Sequence, residues 1–195
     1  MSIWCIGRNY LKHIEELGNE IPNDPIVFLK PISSIVNSGS LIVAPAFSNE
    51  LHHEVELAVR LDENLELESY VAAVDLTLRD VQSKSKEKGQ PWTLAKAFKQ
   101  SCPMGKPVNI KPDFNFSNLE LSLSVNGKER QKSTTANMIH SVPSLLRYLI
   151  EHYPMAAGDW ILTGTPEGVS KLEPGDKVNF QVGDSFGHFE LETNS

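Results

Sequence analysis

Cysteine is nearly absent: Cys5 and Cys102 are the only two in 195 residues. Two thiols cannot staple a fold, so an apolar core must hold it, and a reducing cytoplasm is the compartment expected. Long hydrophobic runs are missing as well. Tyr70–Val74 and Trp160–Leu162 are among the longest, far short of the roughly 20 residues that span a bilayer. No basic stretch followed by an apolar one opens the chain, which argues against a secretory leader. Positive charge is in deficit, with 18 Lys and Arg against 25 Asp and Glu and a net charge of −7. Nucleic acid and anionic membrane are thereby disfavoured as main partners. Repeats, low-complexity tracts and Ser/Gly linkers are also lacking, so a single domain over residues 1–195 is expected.

What is present suffices for a core. Hydrophobic residues make up 40% and charged residues 22%, ordinary for a globular chain, and a chain of this size buries about 70% of its unfolded surface. Short β-type runs dominate: Ile26–Leu29, Leu41–Val43, His53–Arg60, Tyr70–Val74, Leu119–Val125, Trp160–Thr163, Lys177–Val182 and His188–Glu192. Asn126-Gly127 predicts a tight hairpin, and Gly183-Asp184 with Gly187 a looser one. Three helices are predicted. Tyr10–Leu17 ends at Gly18-Asn19. A second starts from a Thr77/Asp80 capping box and runs to about Lys88, before Gly89. A third is capped by Ser141, carries Val142, Leu145, Leu146, Leu149, Ile150 and Tyr153 on one stripe, and stops at Pro154. Few helices, many strands and no βαβ alternation predict an α+β fold that is predominantly β.

Several side chains stand out chemically. Glu54 and Glu56 lie two apart on a strand and share a face, opposite Val55, Leu57 and Val59. Such a pair is either solvated or shares a cation, and further hard oxygen ligands would select magnesium or manganese. Asp75 ends an apolar strand next to a helix start, where it either faces a cleft or stabilises the helix terminus. Arg79 and Gln82 share a helix face, offering a guanidinium fork and an amide. His13 and Glu16, three apart on a helix, form either a surface ion pair or a base with its orienting carboxylate. Lys96 follows an apolar stretch and is a candidate electrophile toward an oxyanion. The turn Leu162–Gly168, rich in Gly, Thr and Pro, has backbone amides and hydroxyls able to hold a carboxylate.

These segments occur in a telling order: Gly7-Arg8-Asn9-Tyr10 with His13, Phe28-Leu29-Lys30-Pro31, His53-Glu54-x-Glu56-Leu57, Asp75-x-Thr77-x-Arg79-Asp80-x-Gln82, Lys88-Gly89-x-Pro91-Trp92-Thr93-Leu94-Ala95-Lys96 and Leu162-Thr163-Gly164-Thr165-Pro166. Together they resemble the fumarylacetoacetate hydrolase family over nearly the whole chain. The likeness is to its branch of small acylpyruvate hydrolases and oxaloacetate decarboxylases, which carries a His/Glu pair in a short N-terminal helix. The resemblance implies a mixed β-sandwich roll, bound Mg2+ or Mn2+, and a homodimer. It implies Glu54, Glu56 and Asp75 as metal ligands, with His13 and Glu16 as a water-activating dyad on a lid over about residues 8–24. Lys96 is implied as a further catalytic group, and Arg8, Lys30, Arg79, Gln82 and Thr165 as substrate contacts. The stretch between Glu56 and Asp75 is shorter than usual for that branch, implying a trimmed surface turn or helix.

The implied activity is metal-dependent cleavage of a C–C bond in a short 2-oxo acid. Acylpyruvate hydrolysis and oxaloacetate decarboxylation both pass through a pyruvate enolate stabilised by the cation. An isomerase or tautomerase of an oxo-dioate, or a fumarylpyruvate-type hydrolase of aromatic catabolism, is the alternative within the family. A non-enzymatic metal-binding β module is the alternative of another class. The implied partner is a small 2-oxo acid, with neither nucleic acid nor membrane.

Overall fold

The computed structural model describes residues 1–16, 18, 20–111 and 113–192. In chain order the elements begin with β1 (Ser2–Gly7), α1 (Leu11–Glu16), β2 (Ile26–Pro31), β3 (Ile35–Asn37), β4 (Ser40–Ile42), β5 (Leu51–His53), β6 (Val55–Leu61) and β7 (Leu67–Val74). There follow β8 (Thr77–Leu78), α2 (Arg79–Glu87), α3 (Thr93–Lys96), β9 (Cys102–Met104), β10 (Val108–Asn109), β11 (Glu120–Val125) and β12 (Lys128–Thr134). The last are α4 (Val142–His152), β13 (Trp160–Leu162), β14 (Ser170–Lys171), β15 (Lys177–Val182) and β16 (Ser185–Leu191). Strands predominate, and the expected mixed β roll is what forms.

A large sheet runs β2-β1-β13-β6-β7-β9-β3, with β10 on β7. A second runs β12-β11-β15-β16-β4, and β14-β5-β8 form a small third. The inner faces of β11, β15 and β16 alternate cleanly between buried and open positions. Their Leu121, Leu123, Val178, Phe180 and Phe189 meet Val55, Leu57, Val59, Tyr70 and Ala72 of the large sheet. The other face of β6 and β7 is buried too, its Ala58, Val71 and Ala73 clustering with Ile3, Cys5, Cys102, Met104 and Leu162 from neighbouring strands of the same curled sheet. Burial on both faces explains why these strands read as nearly continuous apolar runs.

The structure corrects several boundaries. His53–Arg60 is not one strand: β5 pairs with β8 and β14, β6 pairs with β7 and β13, and Glu54 is the crossing point between the sheets. The Thr77/Asp80 capping box does not form. Thr77 is in β8, and α2 starts two residues later, where Asp80 Oδ1 accepts from Val81 N–H and the Ser48 hydroxyl. On α4, Val142, Leu145 and Leu149 are buried, but Ile150 is 43% exposed. At 100° per residue it sits at the margin of the stripe.

Ser141 Oγ donates to Ser144 Oγ rather than capping the backbone. Gly183-Asp184 is a tight two-residue turn, since Val182 pairs with Ser185. Gly187 lies inside β16 because a Cβ there would meet the Phe180 ring at 2.4 Å. The short Glu56–Asp75 stretch is a β6–β7 hairpin closed by Asp62, whose Oδ1 accepts from Asn64 and Glu66 N–H. Gly18 takes the positive φ of a helix end, while Leu17 and Asn19 lie outside the described residues.

Asn9 fixes the segment after β1. Its Nδ2 donates to Thr163 O at 2.8 Å and His140 O at 3.0 Å, and its Oδ1 accepts from His140 N–H at 2.7 Å. Removing it strands a buried N–H and two carbonyls. Asn9→Ala is therefore expected to cost roughly 3 kcal/mol and lower Tm by about 6–12 °C. Differential scanning calorimetry checks this, and an unchanged Tm would refute it.

Candidate functional site

Strand alternation places Glu56 on the same face of β6 as Ala58, pointing away from the main core. Glu54 reaches the same side because β5 and β6 separate there, and Asp75 follows the end of β7, its N–H donating to Glu54 O at 2.8 Å. The three carboxylates are 5%, 2% and 0% exposed, so the solvated strand face is excluded. One oxygen from each lies within 4.8 Å of the others.

Three cations converge on them. Lys96, at the end of α3, donates to Glu54 Oε2 at 2.8 Å, Asp75 Oδ2 at 2.5 Å and Thr77 Oγ1 at 2.7 Å. All three N–H groups are thus engaged, and the two carboxylates outweigh burial to raise its pKa. In this arrangement Lys96 anchors carboxylates and has no N–H left for an oxyanion. Arg79, the first residue of α2, pairs with Glu54 Oε1 and donates to Gln82 Oε1 at 2.7 Å. The shared helix face predicted for this pair is therefore a direct bond.

Lys30 departs from its expected role. Its fully buried Nζ lies 2.8 Å from Asp75 Oδ1 and donates to Leu76 O, Ser101 O and Lys96 O. It is absent from the lining of the chamber in front of the carboxylates and props Asp75 from behind.

Burial opposes ionisation of Glu54, but Lys96, Arg79 and His13 overcome it and hold the carboxyl well below its usual range. Glu56 is pushed the other way by burial, then by Asp75 and Glu54, with Lys96 and the Gly164 N–H as partial relief. Asp75 Oδ1, despite Lys30, takes no well-directed hydrogen bond. Three hard oxygen donors, one of them short of a partner and one short of positive charge, suit a divalent cation of the magnesium or manganese type.

The chamber encloses about 30 Å3, the room of one or two waters. It brings together Arg8, His13, Glu54, Glu56, Asp75, Arg79, Gln82, Lys96 and Thr165, all of them anticipated. Glu16 stands behind His13, with Oε2 3.4 Å from His13 Nδ1. Burial lowers the His13 pKa against the pull of Glu54 and Glu16, which favours the neutral imidazole. Glu16 also accepts from Gly168 N–H at 3.2 Å, and Lys12 lies 3.8 Å from Glu167, so α1 is docked on the Thr165–Gly168 loop. That loop does hold carboxylates with its amides, but they belong to the protein: Gly164 N–H donates to Glu56 Oε2 at 2.7 Å.

Four groups went unassigned in the sequence. Phe28 and Trp92, rings 5.7 Å apart, form one wall of the chamber. Lys86 lies at its mouth over the Trp92 ring, and partial burial with the nearby Arg79 and Arg8 lowers its pKa. Nothing in Ser83–Gly89 distinguishes Lys86 from a solvated lysine. Gln131, buried in the polar strand β12, supports Thr165 from outside the chamber.

Comparison with known proteins follows the same lines. The family model described as fumarylacetoacetate (FAA) hydrolase C-terminal matches residues 2–192. An oxaloacetate tautomerase of Escherichia coli is 43% identical over 191 residues, covering 91% of this chain and 86% of its own. A mitochondrial oxaloacetate tautomerase of Bos taurus is 40% identical over 187 residues, covering 91% and 85%. Among solved structures, fumarylpyruvate hydrolase from Pseudomonas aeruginosa in complex with Mn2+ and pyruvate superposes with a TM-score of 0.93 at 27% identity, covering 100% of this chain and 90% of that one.

The two buried lysines differ from Lys86 in a way that stability reads. Lys30→Met leaves Asp75 facing Lys96 alone and is expected to cost about 3–5 kcal/mol, as loss of one partner of a buried ion pair does. Lys86→Met is expected to stay within about 0.5 kcal/mol of the parent. Urea unfolding of both variants checks the contrast, and equal midpoints would refute the placement of Lys30 as a buried prop.

Proposed function

The chain belongs to the fumarylacetoacetate hydrolase family, and we propose that it is a divalent-cation-dependent enzyme of short 2-oxo dicarboxylates, interconverting the enol and keto forms of oxaloacetate. The observation that carries this reading is the chamber itself. It joins a carboxylate triad, an imidazole backed by a carboxylate, and the cations Arg8, Arg79 and Lys86 around one small chamber, which opening of α1 would enlarge to admit a small molecule. The names of the tautomerase relatives support the same substrate.

Glu54, Glu56 and Asp75 would hold Mg2+ or Mn2+. When bound, the cation would polarise the 2-oxo carbonyl and stabilise the negative charge that develops as a neighbouring C–H loses its proton. The remaining work falls to side chains. Glu16 on Nδ1 leaves His13 Nε2 as the nitrogen that takes the C3 proton of the keto form, while solvent protonates the enolate oxygen. In the reverse direction the enol O–H proton leaves to solvent and His13 returns a proton to C3. Glu16 also stabilises the imidazolium between those steps. Gln82 Nε2, and Arg79 once a cation shares Glu54, give N–H groups to the substrate oxygens. Thr165 offers its hydroxyl to the inner carboxylate, and Arg8 and Lys86 at the mouth meet the outer one. That last feature favours a dicarboxylate over a monoacid. The α1 segment acts as a lid, opening at the Glu16–Gly168 and Lys12–Glu167 contacts to admit substrate.

C–C cleavage is the second reading, with His13 activating water against an acylpyruvate. It is favoured by the groove of about 780 Å3 beyond Phe28 and Trp92, lined by Ile26, Leu29 and Pro91, which would take an apolar acyl tail. The His13–Glu16 pair would serve no purpose in a purely structural cation module.

Following enol absorbance of oxaloacetate with Mn2+ present, against acylpyruvate cleavage, separates the readings. Tautomerisation is expected to be the faster and to vanish with a chelator or in Glu56→Ala. His13→Ala is expected to slow it by about 10²–10⁴-fold. Because the base must be neutral, the parent rate should fall on acidification with a midpoint below the ordinary histidine value of 6.5. Lys86→Met should raise KM for oxaloacetate about tenfold and spare acylpyruvates, as loss of one charged hydrogen bond would. A His13→Ala variant with parental rates would refute the assignment of the base.

A further inference from the structure

Gln131 projects from a strand that is otherwise polar and open, yet it is 1% exposed. Its amide is fully used. Oε1 accepts from Val55 N–H at 3.0 Å and from His53 Nδ1 at 2.9 Å. Nε2 donates to Thr165 Oγ1 at 2.8 Å and to Pro166 O at 3.0 Å. Two of these partners admit no choice, because a backbone N–H only donates and a carbonyl only accepts. They fix which end of the amide is oxygen. His53 must then carry its proton on Nδ1, and its Nε2 accepts from the Ser170 hydroxyl at 2.9 Å.

The consequence reaches the chamber. Thr165 Oγ1 already accepts from Gln131, and its own proton goes to no partner among the described residues, so it is free to point at the ligand space that Thr165 lines. The other arm of the amide grips Val55, the residue between Glu54 and Glu56. The backbone is shaped to allow this contact. β12 has an extra residue, Arg130, between the pairs Leu123–Gln131 and Ser124–Glu129. Gly168 packs so closely there that a Cβ would lie 2.1 Å from Arg130 O.

We propose that Gln131 is a positioning residue for the reaction: it obliges the Thr165 hydroxyl to donate to the inner carboxylate of a 2-oxo acid, and it holds the Glu54–Glu56 turn in register with that hydroxyl. The proposal rests on the reading of the chamber as a 2-oxo acid site. In Gln131→Glu, one oxygen still accepts from Val55 and His53, while the other, set against the Pro166 carbonyl, must carry a proton to bond it and has none left for Thr165. The hydroxyl then turns to donate to it and is lost to the ligand. In Gln131→Met both arms go.

The test is calorimetric titration with Mn2+ alone and then with oxalate in the presence of Mn2+, on Q131E, Q131M, T165V and the Q131E/T165V pair, with Tm recorded for each. Q131E and T165V are each expected to weaken oxalate about tenfold while keeping Mn2+ affinity within about twofold. The pair is expected to be no weaker than the worse single variant, because one hydroxyl is lost only once. Q131M is expected to weaken both ligands, and it replaces Q131E in the cycle if Q131E does not fold. Additive losses of about a hundredfold in the pair, or parental oxalate binding in Q131E, would overturn the proposal. Parent protein that binds Mn2+ but no oxalate would overturn the reading of the chamber and the role of Gln131 with it.

Discussion

Three carboxylates gathered inside a protein repel one another, and water cannot screen them. Glu54, Glu56 and Asp75 meet this constraint with cations drawn from separate parts of the chain: Lys30 from β2, Arg79 from α2 and Lys96 from α3. Each cation is held by the same charges it neutralises, so the strands and helices that deliver them are locked together at one point. Desolvation makes such a cluster costly if any member is lost and gives little net stability when intact. Its value lies in specificity of arrangement. The edge strand β2, the crossing between β5 and β6, and the short α3 are tied to one another at this point by the charges.

Polar bonds extend this order outward. Gly164 N–H holds Glu56, Gly168 N–H holds Glu16, and Gln131 holds both Thr165 and Val55. One turn, Thr163–Gly168, therefore touches the carboxylates, α1 and the chamber together. Docked there, α1 lines the chamber with His13, so a lid movement of the kind proposed would close the chamber and align the base together. A six-residue helix has little stability of its own, so its position rests on these polar contacts and on the buried Ile14.

Much of this was legible in the residues, and what was not has physical causes. Alternation placed Glu56 on the face opposite Val55 and Leu57, and helical spacing paired Arg79 with Gln82 and His13 with Glu16. Those are local rules, and they hold over short distances. The break at Glu54 was hidden because His53–Arg60 keeps an unbroken strand pattern while changing sheets. Thr77 looked like a cap because its true partner, Lys96, lies 19 residues on. Lys30 matched a substrate-contact motif, but which side of Asp75 it approaches depends on the register of β2 against β1. Gln131 had no local signal, since a single inward polar residue in Lys128–Thr134 looks like its exposed neighbours.

The acidity of the chain is also resolved by position. A net charge of −7 would repel a dicarboxylate if it were spread evenly over the surface. Here the innermost negative charges are matched by Lys30, Arg79 and Lys96, and a bound divalent cation would tip that balance to positive. Arg8 and Lys86 add charge at the mouth without acidic partners among the described residues. An anion entering the chamber would thus meet Arg8, Lys86 and Arg79 along its lining. A chain of net negative charge can therefore still receive a small anion, because the charge that matters is the local one at the chamber and not the sum over the surface.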